Sequence, residues 1–406
     1  MLTNRFSGRT KLILTAIGVF QIYFACIGAN VMDPALQNLT AMYPGVTHEQ
    51  IASLITIPNL ASIPASIASG ILTGRRWKYR TTLSVSFTLI ILSGIAPMFL
   101  GSNFSLVVAA RVVLGFGLGL LFPLGNALII DLFSGDRRGF MFGIGEVVKN
   151  LSLITLQMLV GILVGINIKI SWAAYIALLL SFGLLLLFLP EPEVKPLAEQ
   201  ESLGKSFKNI PHRLYVFVSF LLICAVMQTV YQVNLSSIVI TEHLGNAQTA
   251  AQILSTATFV AMLAALSFGF IQKFFKNYTI TVCVAILATG SLFIALSKTL
   301  PLLYLSAGVV GIGIGTMESS FYMKTATCAN HENAALVSAI QIVFQGFGNY
   351  LPHYFLGFVA AIFHTQSFRA PIAAGSVVLY AVAIGFGVFY FFFNKKQKNS
   401  LTTSEV

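Results

Sequence analysis

The sequence predicts an all-α integral membrane protein: twelve transmembrane helices in two pseudo-symmetric six-helix bundles. Three observations carry that prediction. Of 406 residues, 56% are hydrophobic and 9% charged, with mean hydropathy +0.85, whereas a soluble domain carries about 25% charged residues. Apolar runs of roughly 20 residues, the length that crosses a bilayer as a helix, recur along the whole chain. The chain also repeats itself. Gly115, Gly117 and Gly119 return as Gly311, Gly313 and Gly315, about 196 residues further on. The basic stretch from Gly70 to Arg80 has its echo in Gly269 to Lys276. Parallel repeats of this kind place a binding site where the halves meet.

Taken in order, the runs fall near 11–32, 49–73, 82–101, 104–130, 140–166 and 170–190, then 212–241, 248–271, 279–298, 301–326, 334–363 and 370–393; they are numbered here as spans 1 to 12. The stretch 191–211 is the one polar linker, so the expected divisions are a first bundle 1–190, the linker, a second bundle 212–394 and a charged, disordered tail 395–406. The basic residues test the count. Arg5, Arg9 and Lys11, then Arg75, Arg76, Lys78 and Arg80, then Arg137 and Arg138, then Lys195, Lys205 and Lys208, then Lys273 and Lys276, and finally Lys395, Lys396 and Lys398 all fall on one side of an alternating topology. That asymmetry assigns both termini to the cytoplasm and the chain to the cytoplasmic membrane.

Several function classes drop out. The net charge of +11 lies in short gaps between apolar runs, which is no nucleic-acid footprint. Cys26, Cys224, Cys283 and Cys328 stand singly, so no disulfide framework or metal site is spelled out. No Walker motif is present for an ATP-driven pump. The six histidines are scattered, with no nucleophile–base constellation for an intramembrane enzyme. No cofactor is expected; the expected partners are a small-molecule substrate, the bilayer and protons, bound by a monomer.

Span 4 holds the most informative stretch, Arg111 through the three glycines to Pro123. The glycines open one side of the helix to a close neighbour. The arginine is costly in hydrocarbon and marks a candidate functional site. In the echo, Arg111 becomes Ala307 and Phe122 becomes Glu318. Span 2 carries Thr56, Asn59, Ser62, Ser66, Ser69 and Thr73 on one stripe, a packing seam, with Pro58 and Pro64 positioned to bend it.

Polar side chains avoid the interiors of spans 3, 6, 9 and 12, so those spans are expected to face lipid and the others to enclose a polar path. Gln21, Tyr23 and Phe24 on span 1, Gln228, Tyr231 and Gln232 on span 7, and Phe344 on span 11 fall at mid-depth, suiting an amphipathic organic molecule; Gln341 and Gln345 share one face of span 11. Span 5 sets Glu146, Lys149, Asn150 and Gln157 on one face. Glu146 and Lys149, spaced i and i+3, either line the cavity or form a structural pair. With Arg111, these residues make up the expected substrate cavity.

The twelve-span plan, the basic loop Gly70 to Arg80, the complete Arg111-to-Pro123 motif and the turn Asp136-Arg137-Arg138-Gly139 resemble the major facilitator superfamily. Gly74 stands where that family's loop usually has an aspartate, and the Gly-Pro-x-x-Gly-Gly signature of many drug/proton antiporters is missing from span 5. The resemblance implies alternating access by a secondary transporter. It implies a cytoplasmic gate in which Gly70, Arg75, Arg76 and Arg80 face Asp131, Asp136 and Arg137. It also makes span 10 a cavity-lining helix; Glu318, a carboxylate in that apolar span with no charged neighbour within a helical turn, is the expected proton-coupling residue. Proton-coupled efflux of amphipathic compounds is the first expectation; uptake or exchange of an organic anion, favoured by Arg111 and Lys149, is the second.

Overall fold

A computed structural model describes residues 8–73, 77–100, 103–133, 136–191, 211–326, 328 and 334–402. Among the described residues ten helices are long and apolar enough to cross a membrane, and the two remaining apolar stretches, spans 1 and 11, are interrupted helices. Span 2 is one helix, His48–Leu72, started by a capping box between Thr47 and Gln50 and running through both prolines. Span 4 is Phe104–Leu132, capped by the Asn103 side chain. Span 1 is helical over Gly8–Ala25, passes through turns and a 3₁₀ turn at Asp33–Ala35, and resumes as Leu36–Met42. Span 11 is Ala334–Tyr350 followed by Pro352–Phe363; Pro352, with no N–H to donate, opens the second piece.

Two expectations are corrected. Span 8 stops at Leu266, and the next residues form a separate short helix, Phe268–Phe275. The last helix, Arg369–Thr402, continues through residues expected to form a disordered tail. Its lysines favour continuation, because they are good helix formers.

The contacts divide the chain into two compact units, Met1–Leu203 with Leu235–Ser255 and Asn349–Tyr354, and Gly204–Asn234 with Thr256–Gly348 and Phe355–Val406. In the first unit span 4 packs on spans 2 and 3, over a core including Leu114, Leu118, Leu121, Ile90 and Phe87. In the second unit span 9, Thr279–Leu296, packs on span 10, Leu300–Ala326, and on span 12. There Phe386 is a hub, with the rings of Phe217, Phe220, Phe321 and Tyr390 at centroid distances of 4.4 to 6.3 Å.

The two glycine runs do the same geometric job. A Cβ on Gly115 would lie 2.5 Å from the Pro58 carbonyl oxygen, and one on Gly119 would lie 2.7 Å from the Ala65 Cβ, both on span 2. A Cβ on Gly117 would instead meet Ile90 of span 3 at 2.8 Å. In the second unit Gly311 and Gly315 abut Ala257, Val260 and Ala261 of span 8, while a Cβ on Gly313 would lie 2.5 Å from Leu287 Cα of span 9. The glycines therefore open two sides of the helix, not one. At about 100° per residue, positions i and i+4 share a face and i+2 points nearly opposite. Ser69 on span 2 and Ser86 on span 3 donate to the carbonyls of Leu120 and Gly117, tying span 4 to both neighbours.

Candidate functional site

The interruption of span 1 is built from its backbone. After Ala25 the ladder tightens: the N–H groups of Cys26, Gly28, Asn30, Asp33 and Ala35 each donate three residues back. Such tightening turns carbonyls outward, and inside a bilayer they need donors. Three side chains supply them to three successive carbonyls. Tyr175 Oη donates to Gly28 at 2.6 Å, Arg111 Nη2 to Ala29 at 2.6 Å, and Gln157 Nε2 to Asn30 at 3.1 Å.

Arg111 is fully buried, and its other two nitrogens each donate one hydrogen bond as well. Nη1 donates to Tyr175 Oη at 2.7 Å and Nε to the Leu54 carbonyl at 2.5 Å. Leu54 is the residue whose carbonyl Pro58, four positions on, cannot serve. The guanidinium also lies 5.9 Å from the centre of the Trp172 ring. Burying an arginine mid-helix costs about 2.5–3.5 kcal/mol on insertion scales, and hydrogen bonds from a charged group return about 1.5–3 kcal/mol each. The sequence motif suggested a residue on the cavity wall. In the structure a solute could reach this guanidinium only by displacing partners from spans 1, 2 and 6.

Beside it lies a carboxylate that sequence reasoning passed over. Asp33 is fully buried; its Oδ2 accepts from Gln157 at 3.3 Å and Asn30 at 3.5 Å, and its Oδ1 has no partner among the described residues. Asp33 follows the last residue of the apolar run 11–32, so its position by sequence was at the water's edge. Gln157, taken with the cavity face of span 5, points into this buried network instead.

A second polar cluster lies in the same unit. Tyr23 Oη donates to Asn126 Oδ1 at 2.6 Å, with its ring lodged against Gly125 and Gly145. Glu146 and Lys149 form an ion pair within electrostatic reach of that tyrosine. The Glu146 side chain is 58% exposed and that of Lys149 34%. Asn126 is exposed as well, and Asn150 donates to the Glu146 carbonyl at 2.8 Å. Gln21 is half-buried and bonds to its own helix at Ile17.

The second unit has its own polar surface. Gln228 Nε2 approaches Glu318 Oε1 at 3.5 Å, and both residues are partly exposed. Tyr322 Oη donates to Gln345 Oε1 at 3.0 Å, and Thr325 donates to Gln341, which is buried. Gln232 is partly exposed and Tyr231 buried. Lys324 sits 5.2 Å from the centre of the Tyr390 ring.

Of the proposed gate, Arg75 and Arg76 lie outside the described residues, and Gly70, Asp131, Asp136 and Arg137 are described only in their helical backbone. Arg80 is described in full, and it donates to the Leu186 carbonyl at 2.5 Å, at the end of span 6. Glu191, the first residue of the linker, accepts from the backbone of Tyr79 at 2.7 Å and Arg80 at 3.1 Å. Its carboxylate thereby serves the start of span 3, where helix N–H groups lack partners. Glu191 was legible only as linker polarity.

Among curated proteins none matches this chain. Solved structures do. A bacterial homologue of the human lysosomal transporter Spinster, in an inward-facing and unoccupied conformation, superposes with a TM-score of 0.74 at 14% identity, over 94% of this chain and 97% of that one. The nucleoside transporter NupG, solved as a point mutant, gives 0.73 at 17% identity over 93% and 99%. A POT family transporter in complex with 5-aminolevulinic acid gives 0.73 at 14% identity over 93% and 95%. The family model described as Major Facilitator Superfamily matches residues 18–351, and with that match added to the fold, the chain belongs to the Major Facilitator Superfamily.

Proposed function

We propose that this multi-pass secondary transporter exports amphipathic organic compounds across the cytoplasmic membrane in exchange for protons. One observation carries the proposal: polar and ionised side chains stand partly exposed within the apolar spans of both units. They are Asn126, Glu146 and Lys149 in the first, and Gln228, Glu318 and Gln345 in the second. Hydrocarbon does not tolerate such groups, so each set faces an aqueous path. Aromatic residues, Phe24 on span 1, Tyr322 on span 10 and Phe344 on span 11, are partly exposed too and suit an apolar body carrying a polar end. In this proposal residues 1–190 and 212–394 rock about a central site, a single copy suffices, and both termini stay in the cytoplasm.

Glu318 is the proposed proton carrier. It meets the neutral amide of Gln228, which can donate to a carboxylate and accept from a carboxylic acid, so the contact suits either charge state. Asp33 is the second candidate, buried beside hydrogen-bond donors. The organic-anion alternative loses its main support, because Arg111 is held by carbonyls and a hydroxyl and Lys149 is neutralised by Glu146.

The test is flux in proteoliposomes with and without an imposed pH gradient, using an amphipathic cationic dye as probe. The proposal expects dye movement that follows the gradient and stops when it is collapsed. Gradient-independent movement, or transport of an anionic probe only, would overturn it.

A further inference from the structure

The short helix Phe268–Phe275 has no role in the transport scheme above, yet its faces are sharply divided. Phe268, Ile271, Gln272 and Phe275 are half-buried on one side; on the other, Phe270 and Phe274 are 79% and 80% exposed, with exposed Lys273 between them. The exposed phenylalanines extend a stripe that begins on span 8. Phe259, Leu263, Leu266, Phe270 and Phe274 are all exposed, at steps of three or four residues. That stripe is apolar surface of a membrane span, and the short helix carries it past the span's end at Leu266.

The helix then stops abruptly. Lys276 takes φ of 49°, a left-handed conformation uncommon for a side-chain-bearing residue, and its side chain is exposed. Neither Lys273 nor Lys276 has a carboxylate partner among the described residues, and the sequence contains no Asp or Glu between Glu242 and Glu318. Two lysines with no carboxylate partner among the described residues therefore sit beside two exposed aromatic rings, at the end of an exposed apolar stripe.

We propose that Phe268–Phe275 is an interfacial anchor that seats Phe270 and Phe274 at the headgroup–acyl boundary and binds an anionic phospholipid headgroup at Lys273 and Lys276. A helix with one apolar face and cationic residues at its edge lies in the plane of the interface. Each lysine near an anionic surface adds attraction that zwitterionic lipid does not supply. The inference is independent of substrate, direction and coupling ion.

The experiment uses the full chain carrying Phe270→Trp, reconstituted in nanodiscs, with the parent chain's Trp77 and Trp172 emission subtracted. Acyl-brominated phosphatidylglycerol and acyl-brominated phosphatidylcholine are compared at equal low mole fraction. The introduced indole is expected to be quenched by both lipids and shielded from aqueous iodide, with several-fold stronger quenching by phosphatidylglycerol. Adding Lys273→Gln and Lys276→Gln should equalise the two lipids and leave the depth unchanged. An indole quenched by iodide and not by either lipid overturns the anchor. Equal quenching by the two lipids with both lysines present overturns the headgroup site. Size-exclusion profiles matching the parent confirm that each variant is folded.

Discussion

Span 4 and span 10 are the same helix used twice, and they part company at their charged residues. In each, two glycines four apart receive the second span of that half and the middle glycine receives the third. Span 4 then carries Arg111 where span 10 has the buried Ala307, and span 10 carries Glu318 where span 4 has Phe122. Arg111 is fully enclosed and bonded to protein atoms. Glu318 is partly exposed beside Gln228. The shared feature is packing, which both halves need. The charges sit in different settings: one holds a broken helix together, and the other is partly exposed beside a neutral amide.

The largest effect is expected where the two helices are alike. Gly117→Leu and Gly313→Leu should each abolish recovery of monodisperse protein, because a branched side chain has no room at either contact. The alanine variants sharpen the comparison. A Cβ at Gly313 would lie 2.5 Å from the Leu287 backbone, which cannot move aside, whereas at Gly117 its nearest neighbour is a side-chain atom, Ile90 Cγ1, at 2.8 Å. Gly313→Ala should therefore lower the melting temperature more than Gly117→Ala in the same detergent. The reverse order would mean that the two contacts are not equivalent in the way described.

Next in size is Arg111→Met. It removes donors from the Ala29 and Leu54 carbonyls and a partner from Tyr175. Orphaned buried groups cost about 1–3 kcal/mol each, so two carbonyls lose about 2–6 kcal/mol together, and a fall in melting temperature of roughly 4–24 °C is expected at about 2–4 °C per kcal/mol. Arg111→Lys should recover little of this, since an ammonium cannot span three acceptors set by a planar fork. Full rescue by lysine would show that charge, not the fork, is what matters. Smaller again is Tyr175→Phe, which loses the donor to Gly28 and the acceptor of Arg111 Nη1 but leaves Arg111 bonded to Ala29 and Leu54. A drop of about 2–4 °C is expected, corresponding to about 1 kcal/mol.

Much of this architecture was legible because lipid enforces it. Hydropathy marks the spans, and the borders of spans 2 and 4 fall within two residues of the expected ones. Interruptions were harder to read. Nothing in the apolar run 11–32 announces that its backbone changes pitch after Ala25, because the donors that make the change tolerable come from Arg111, Gln157 and Tyr175, some 80 to 150 residues away. For the same reason Asp33 looked like a loop residue. The glycine repeat was visible, but its meaning required the angular step of the helix: spacing two does not share a face with spacing four. The sharp end of span 8 at Leu266 was hidden because Phe268–Phe275 is as apolar as the span before it.

The most direct test of the split between a structural charge and a working one is Glu318→Gln in proteoliposomes, with gradient-driven transport and gradient-independent exchange of the same dye measured side by side. The amide keeps the shape and the contact with Gln228 but cannot ionise. The account predicts that exchange persists while the response to the pH gradient is lost. A Glu318→Gln protein that still responds fully to the gradient would contradict it.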